Sequence, residues 1–205
     1  MDTTPINQAD RAAIMTWRRA KRAELLVARA VLSSEEHRAK SGAVLVRLLS
    51  EFAAIRTGRI GIYWSIQREI SLFPLINRIL AAGGSIALPV VTEENRPVQF
   101  RVWRPGDPLS NGVGDIPFPR DGPTVVPSTL IVALVGFDEA NFRLGYGGGY
   151  YDRALDDLSP RPWTIGVGFE FMRLETIRPL SHDVPMDAIV TEAGVFPKRA
   201  WRPGD

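Results

Sequence analysis

The chain has 205 residues, of which 45% are apolar and 23% charged, and its formal net charge is +2; these values are typical of a single globular domain with a substantial core. Cysteine is absent and histidine occurs twice, which excludes disulfides, thiolate metal sites and a cysteine nucleophile and argues against a histidine-rich metal centre. No apolar run is long enough to span a membrane and no secretory signal is present, so we expect a cytoplasmic protein without a membrane partner.

Periodicity and turn residues predict the elements of the first half of the chain. SSEE at 33–36 is typical of an N-cap followed by acidic residues in a first helical turn, and glycines punctuate the following elements. In chain order we predict helices over 10–31 and about 33–56, a strand over 59–64, a helix over 71–84, and strands over 85–91 and 98–103.

The second half begins with a Pro- and Gly-rich stretch, 104–128, which we predict to be a long irregular connection. Beyond it we predict strands over 128–138, 163–169 and 186–192, a helix over about 149–158 and a short helix over 171–177. Strands that alternate with helices favour an α/β fold, here a single-domain three-layer α/β/α arrangement with a mostly parallel central sheet. We expect one domain over 1–205, with 1–14 as a flexible N-terminal extension.

The stretch RLGYGGGYYDR, residues 143–153, carries four glycines at positions 145, 147, 148 and 149. It follows a predicted buried strand and precedes a helix, the place where α/β sheets bind ligands and where a helix N-terminus offers free N–H groups to anions. Arg143 and Arg153 can add positive charge, and Asp152 can cap the helix or bind Mg²⁺ opposite a phosphate.

Two known phosphate-binding loops do not match this stretch. The Walker A pattern G-x-x-x-x-G-K-[ST] is missing, and Tyr150 stands where the dinucleotide-binding fingerprint needs its third glycine. The residues alone therefore leave two interpretations open, a phosphate-binding loop or a tight strand–helix turn with a packed pair of tyrosines.

The strand and loop together, LIVALVGFDEANFRLGYGGGYYDRAL at 130–155, resemble the signature of the 5-formyltetrahydrofolate cyclo-ligase family, whose members are also called methenyltetrahydrofolate synthetases. Residues 18–41, 60–76 and 164–196 resemble further family segments in order and spacing. The resemblance covers nearly the whole chain after about residue 15. It implies an enzyme that uses ATP and Mg²⁺ to close 5-formyltetrahydrofolate into 5,10-methenyltetrahydrofolate, with release of ADP and phosphate.

The resemblance also implies site residues. Catalytic roles fall on Arg143 and Tyr151, and the Mg²⁺ carboxylates on Asp152 and Asp187. Folate contacts fall on Trp64, Glu69 and the loop residues Tyr146, Gly147, Gly148, Gly149 and Tyr150. ATP contacts fall on a basic segment, Arg18, Arg19, Ala20, Lys21 and Arg22, and on the glycine loop, Arg143, Leu144, Gly145, Tyr146, Gly147, Gly148, Gly149, Tyr150 and Tyr151.

The sequence departs from the family pattern at three places. The basic segment opens with Arg18 where the family usually has Lys, and Lys21 stands at a usually apolar position, so the phosphate contacts are expected to be rearranged. The connection reads IPFP at 116–119, where the family often carries Glu-Pro.

The implied reaction needs no protein nucleophile, since phosphoryl transfer depends on positioning and charge neutralisation.

Each implied residue also has a purely structural interpretation. Glu69 can be an acid at a helix N-terminus, Trp64 a core residue, Asp187 the partner of a local arginine, and Arg18 and Arg22 a solvated helix face. His182 and Asp183 are interpreted as structural.

Two other functions stay open: a folate- or nucleotide-binding regulator without turnover, and, more weakly, RNA binding through the basic first helix. We expect a monomer with no nucleic-acid partner.

Overall fold

The computed structural model describes residues 8–93 and 97–197. Within these ranges the α-helices are α1 (Gln8–Ala30), α2 (Ser34–Glu51), α3 (Phe73–Ala81) and α4 (Tyr150–Asp157). The strands are β1 (Arg59–Gly61), β2 (Ser85–Val90), β3 (Gln99–Trp103), β4 (Leu109–Asn111), β5 (Pro117–Pro119), β6 (Thr124–Val125), β7 (Thr129–Ala133), β8 (Gly136–Phe137), β9 (Arg143–Leu144), β10 (Trp163–Val167), β11 (Ala188–Val190) and β12 (Val195–Pro197). Single 3-10 turns cover Ala53–Arg56, Val113–Asp115 and Glu170–Met172.

Eight of these strands form one sheet in the order β12-β11-β10-β7-β1-β2-β3-β6. The run from β11 to β2 is parallel, and β12, β3 and β6 pair antiparallel at the two sides. The strands β7, β10 and β11 are mostly apolar and almost entirely buried, as a parallel sheet covered by helices requires. The predicted α/β fold with a mostly parallel central sheet is confirmed.

The helices begin and end for local reasons. Ser33 caps α2 through its hydroxyl, which accepts the N–H of Glu36, while the Glu36 carboxylate accepts the N–H of Ser33. The predicted start of this helix is confirmed, but α2 ends at Glu51 and the chain tightens into the 3-10 turn Ala53–Arg56 before β1. Residues 8–14, which the sequence analysis assigns to an N-terminal extension, form the first turns of α1; residues 1–7 lie outside the described residues.

The predicted strand over 128–138 is divided in two. β7 ends at Ala133, and after a break the residues of β8 pair antiparallel with β9. The Asp138 carboxylate causes the reversal between β8 and β9, since it accepts the N–H groups of Ala140 and Phe142 and, from further along the chain, that of Ile177. This small hairpin delivers the chain from the sheet to the glycine loop.

The structure differs from the sequence-based predictions at three other places. Residues 104–128 are not an irregular connection throughout, because β4 and β5 pair as a hairpin and β6 joins the edge of the main sheet. The predicted helix over 171–177 is wrong: after the turn Glu170–Met172, Arg173 bridges Phe137 and the chain runs on without a helix. The strand β12 was not predicted. In the described part of the chain, no helix has the length and apolar character that a membrane span needs.

Candidate active site

The glycine loop adopts a backbone that needs its glycines. Gly147 and Gly149 have φ of 104° and 63°, in the left-handed region that side chains other than glycine rarely occupy. Gly149 is the N-cap of α4 and supplies no side chain to the helix N–H groups. These N–H groups and the positive end of the helix dipole are therefore available to an anion.

Two arginines hold the loop in place from either side. Arg22 of α1 donates from Nε to the carbonyl of Gly145 at 2.7 Å. Arg153 of α4 donates to the carbonyl of Gly148 at 2.8 Å, and its guanidinium lies over the Tyr150 ring, 5.3 Å from the centroid. A Cβ at Gly148 would lie 2.5 Å from that ring. The loop shape thus depends on side chains packed directly against its backbone.

The loop forms one wall of a cavity of about 440 Å³ at the carboxyl ends of β1, β2 and β7. Trp64, Val91 and Ala133, which follow or end these strands, line it. Most of the residues implied by the resemblance also line it: Arg18, Arg22, Trp64, Glu69, Arg143, Leu144, Gly145, Tyr146, Gly147, Gly148, Gly149, Tyr150, Tyr151 and Asp152. Arg19, Ala20, Lys21 and Asp187 are absent from its wall.

Arg18 is buried and bonded to the C-terminal part of the chain. Its guanidinium donates to the carbonyls of Ile177 and Arg178, at 3.0 and 2.8 Å, and forms a salt bridge of 2.5 Å with Asp183. Most of the N–H donors of Arg18 are therefore engaged in hydrogen bonds to protein groups, although Arg18 lies on the cavity wall. Asp183, which the sequence suggested only as structural, has this anchoring role and lines the cavity itself.

Arg22 lies one turn further along α1 and is half-buried. Burial lowers its pKa, and the neighbouring charges of Arg18 and Arg19 lower it further. Because these positive charges lie close together on one helix face, a bound anion would reduce the repulsion between them. The solvated-face interpretation does not describe Arg18 or Arg22, since both side chains turn into the fold.

Arg143 and Asp152 form a pair that ties α4 to the segment before β11. Their salt bridge measures 3.0 Å. Arg143 also donates to the carbonyl of Val184 at 3.1 Å, while the N–H of Val184 donates to Asp152 at 3.1 Å. The Arg143 guanidinium lies over the ring of Tyr151, 5.8 Å from its centroid. The two residues predicted as catalytic, Arg143 and Tyr151, are thus in contact beside a carboxylate.

Asp187 does not join Asp152. Its Oδ2 accepts the N–H and the hydroxyl of Thr164, at 2.9 and 2.8 Å, and its Oδ1 faces Arg161 at 3.4 Å. The carboxylate therefore fastens β10 to the start of β11, which agrees with its structural interpretation. Among residues 8–93 and 97–197, no group of three His, Cys, Asp or Glu side chains is arranged to hold a metal ion.

Glu69 lines the same cavity, at the end of a strained turn. Gln67 and Arg68 precede it with φ of 45° and 61°, and the Glu69 carboxylate accepts the N–H of Ile66 at 2.9 Å. The side chain is 7% exposed. Burial raises the Glu69 pKa, and the Ile66 N–H, the Tyr146 hydroxyl and the charge of Arg29 partly offset the rise. Strain and a buried carboxylate together are typical of a binding site.

Trp64 belongs to an aromatic cluster beside Glu69. Its ring meets Phe73 edge-on at a centroid distance of 5.1 Å and Trp103 at 6.2 Å. Because Trp64 is only partly buried and lines the cavity, it presents a flat apolar surface to a ligand as well as packing on the core.

The sequence reasoning missed Arg29. It is buried in α1, 1% exposed, and donates to the hydroxyl of Tyr146 at 2.5 Å. A signal was present, since Arg29 follows Arg22 by seven residues and Arg18 by eleven, which places all three on one helix face.

The fold and this site define a mostly parallel α/β protein whose ligand cavity is formed by a glycine loop, an arginine-rich helix face and a buried glutamate. The model of the 5-formyltetrahydrofolate cyclo-ligase family matches residues 14–192. The chain belongs to this family. The prediction of an enzyme of the cyclo-ligase type is therefore confirmed.

Relatives and solved structures agree with this assignment. The 5-formyltetrahydrofolate cyclo-ligase of Escherichia coli K12 is 27% identical over 180 residues, covering 84% of this chain and 96% of the relative. That of Mus musculus is 25% identical over 195 residues, covering 85% and 93%. The structure of 5,10-methenyltetrahydrofolate synthetase from Aquifex aeolicus superposes with a TM-score of 0.77 at 30% identity, covering 90% of this chain and 94% of that one.

Proposed function

We propose that the protein uses ATP and Mg²⁺ to cyclise 5-formyltetrahydrofolate to 5,10-methenyltetrahydrofolate, with release of ADP and phosphate. Family membership and the named relatives support 5-formyltetrahydrofolate cyclo-ligase activity. One observation supports the finer statement: a single cavity joins the glycine loop and arginine face, suited to phosphates, to Glu69 and Trp64, suited to a planar polar ring. The proposal includes a cytoplasmic monomer that needs no nucleic-acid or membrane partner.

The loop end of the cavity supplies what phosphoryl transfer requires. The free N–H groups at the start of α4 and the charges of Arg22 and Arg143 neutralise the phosphates of ATP. In the proposed reaction the formyl oxygen attacks the γ-phosphorus, and the bond to ADP breaks. The N10 nitrogen then attacks the activated carbon and loses its proton, and phosphate departs with the former formyl oxygen. No protein nucleophile takes part, and positioning carries the catalysis.

The part of the cavity that Trp64 and Glu69 line orients the folate. The Glu69 carboxylate can accept N–H groups of the pterin ring, and the Trp64 ring offers an apolar face for stacking. Tyr151 is held under the Arg143 guanidinium and is also near enough to Glu69 for the Glu69 charge to act on it. Burial raises the Tyr151 pKa, as does the negative charge of Glu69, so its hydroxyl stays protonated and can donate to the formyl oxygen as charge develops there.

The residues fit Mg²⁺ through one carboxylate rather than two. Asp152 lines the cavity beside the loop, and Mg²⁺ is usually held by one or two carboxylates together with substrate phosphates and water. Asp187 is bonded to Thr164 and Arg161 away from the cavity wall, so we propose Asp152 alone as the protein ligand. When bound, the ion would neutralise charge on the transferring phosphate.

The direct test is the appearance of the methenyl product, followed by its absorbance, when purified protein meets Mg-ATP and 5-formyltetrahydrofolate. We expect product only when ATP is present. Absence of product above a control without enzyme would refute the proposal.

Asp152→Asn tests the proposed metal ligand. The substitution keeps the acceptor for the Val184 N–H but removes the charge, so we expect kcat to fall by about a hundredfold, a loss of charge stabilisation comparable to removing one donor at a reacting oxyanion. Raising the Mg²⁺ concentration should recover part of the rate. Asp156→Asn, an exposed carboxylate on the same helix, is the control and should retain wild-type turnover. Full activity in Asp152→Asn would exclude the metal role.

A regulator that binds the ligands without turnover is the second candidate. It is favoured by Arg18, whose guanidinium is committed to Asp183 and two carbonyls rather than left free for phosphate. Stabilisation by ATP and by folate without product would support it, since a ligand at 100 times its Kd adds about 2.7 kcal/mol to the free energy of unfolding.

A further inference from the structure

A chain of polar contacts connects three elements, from Arg29 outside the cavity wall to Tyr146 and Glu69 on it. Arg29 of α1 donates from Nη2 to the hydroxyl of Tyr146 in the glycine loop, and its guanidinium carbon lies 5.9 Å from the centre of that ring. The Tyr146 hydroxyl also interacts with the carboxylate of Glu69, and the interaction favours the ionised form of Glu69. Glu69 accepts the N–H of Ile66 as well. The glycine loop and the folate end of the cavity are therefore joined through one phenol.

Arg29 is an unusual residue to find at this place. It is the largest of the fully buried side chains, and its Nε is a buried donor for which the described residues provide no acceptor. Burying a guanidinium is costly unless it is paired. Its guanidinium is hydrogen-bonded to Tyr146, and its charge acts on Glu69 and Tyr63.

We propose that Arg29 is a positioning residue for the cyclo-ligase reaction, which holds the Tyr146 hydroxyl of the glycine loop beside Glu69 at the folate end of the cavity. The inference rests on the function proposed above, because it takes Glu69 as the folate acceptor. Arg29 itself lies outside the cavity wall and acts through Tyr146. The link also makes the geometry of the glycine loop dependent on the state of Glu69.

The charges around Glu69 support this role. Four groups from four parts of the chain act on it: Arg29 of α1, Tyr63 after β1, Tyr146 of the loop and Tyr151 of α4. Burial and the charge of Glu69 raise the Tyr146 pKa to about 12, and burial raises those of Tyr63 and Tyr151. The tyrosines are therefore neutral at pH 7, and Arg29 is the cation among the four.

Burial and the charge of Arg29 act on the Glu69 pKa in opposite directions. Burial favours the protonated form of Glu69, and Arg29 favours the ionised form. Removing the charge of Arg29 must raise the Glu69 pKa. A protonated carboxyl has lost its capacity to accept two N–H groups, so folate binding then needs a higher pH.

The experiment compares Arg29→Met, Arg29→Lys and Tyr146→Phe with the wild type. Two readouts are used: the pKa of the Glu69 carboxyl from ¹³C NMR, assigned with Glu69→Gln, and the pH profile of kcat/KM for 5-formyltetrahydrofolate. For Arg29→Met we expect both the pKa and the acidic limb of the profile to move to higher pH, because an opposite charge that favours the ionised carboxyl is lost. Arg29→Lys, which keeps the charge, should hold the limb near its wild-type position with a lower kcat.

Tyr146→Phe removes the connecting hydroxyl and keeps the ring, so the Glu69 pKa should rise here too. If Arg29→Met fails to fold, the Lys and Phe variants decide the matter. Arg47→Met is the structural control, because Arg47 of α2 donates to the carbonyls of Glu192 and Ala193 away from the cavity; it should leave the limb unchanged.

Failure of this inference is distinct from failure of the proposed function. If the wild type turns over and neither Arg29→Met nor Tyr146→Phe moves the limb or the Glu69 pKa, the positioning role is refuted. If the wild type makes no product, the proposed function fails, and the NMR titration still decides whether Arg29 controls the ionisation of Glu69.

Discussion

Replacing Asp183 by Asn should destabilise the protein in a pH-dependent way. The side chains of Arg18 and Asp183 are 6% and 9% exposed and form a salt bridge of 2.5 Å. Breaking a buried pair by removing one partner costs about 3–5 kcal/mol. The lower end applies, because Asn can still accept the N–H of Leu180, and Arg18 retains the carbonyls of Ile177 and Arg178.

A loss of about 3 kcal/mol corresponds to a Tm lower by about 6–12 °C for a chain of this size. Burial opposes ionisation of Asp183, but the hydrogen bonds from Arg18 and Leu180 outweigh it and lower the pKa. A lowered pKa contributes stability that is present above the pKa of the unfolded chain and is lost as the pH falls through the folded value. The difference between wild type and variant should therefore be constant from pH 5 to 7 and shrink below about pH 4.

Urea denaturation at pH 7, 5 and 3.5 measures this difference. Asp121→Asn is the control, since Asp121 and Arg120 form a fully exposed pair at 3.3 Å, side chains 69% and 61% exposed, and should change stability by less than about 1 kcal/mol. Equal losses at pH 7 and 3.5, or a loss no larger than that of the control, would refute the reasoning about the buried pair.

Two further predictions concern glycines. Gly148→Ala should raise the KM for ATP about tenfold or more, because the new Cβ lies 2.5 Å from the Tyr150 ring and must displace it or the loop backbone, which misplaces the phosphate site; steady-state kinetics at saturating folate measure this, and an unchanged KM would contradict it. Gly42→Ala should raise the free energy of unfolding by about 0.5–1 kcal/mol, because Gly42 lies inside α2 with open space around a Cβ; a lower Tm by thermal denaturation would show that reasoning to be wrong.

The sheet was predictable because its strands carry their own signals. The apolar run of β10 is buried on both faces, and in an α/β fold such a run is stable as an interior strand of the parallel sheet. The end of β7 was not predictable. The apolar letters continue from Leu134 to Phe137, but Val135 donates its N–H to Leu144 and so leaves the main sheet. The turn that brings Leu144 back is held by Asp138, whose carboxylate accepts an N–H from Ile177, 39 residues away.

The site was predictable to the extent that its residues belong to one continuous motif or one helix face. The glycine loop, Arg22 and Arg143 reach the same cavity, as the family resemblance implied. Asp187 did not, because the direction of a side chain beside a strand is set by the pleat and by its neighbour, here Thr164. The partner of Arg18 was equally hidden, since Asp183 is 165 residues distant and the path of the connecting loops decides the contact.

The contact between Arg18 and the segment 177–183 has a consequence for biosynthesis. Arg18 is synthesised well before its acceptors, which follow it by 159–165 residues. A nascent chain that ends before residue 177 already contains β1, β2, β7 and β10, the middle of the sheet, and lacks every acceptor that holds Arg18. Closing so long a loop is slow and comes after the local contacts of the sheet. We therefore expect the arginine face of the ligand cavity to reach its final arrangement only after the segment 177–183 has been made.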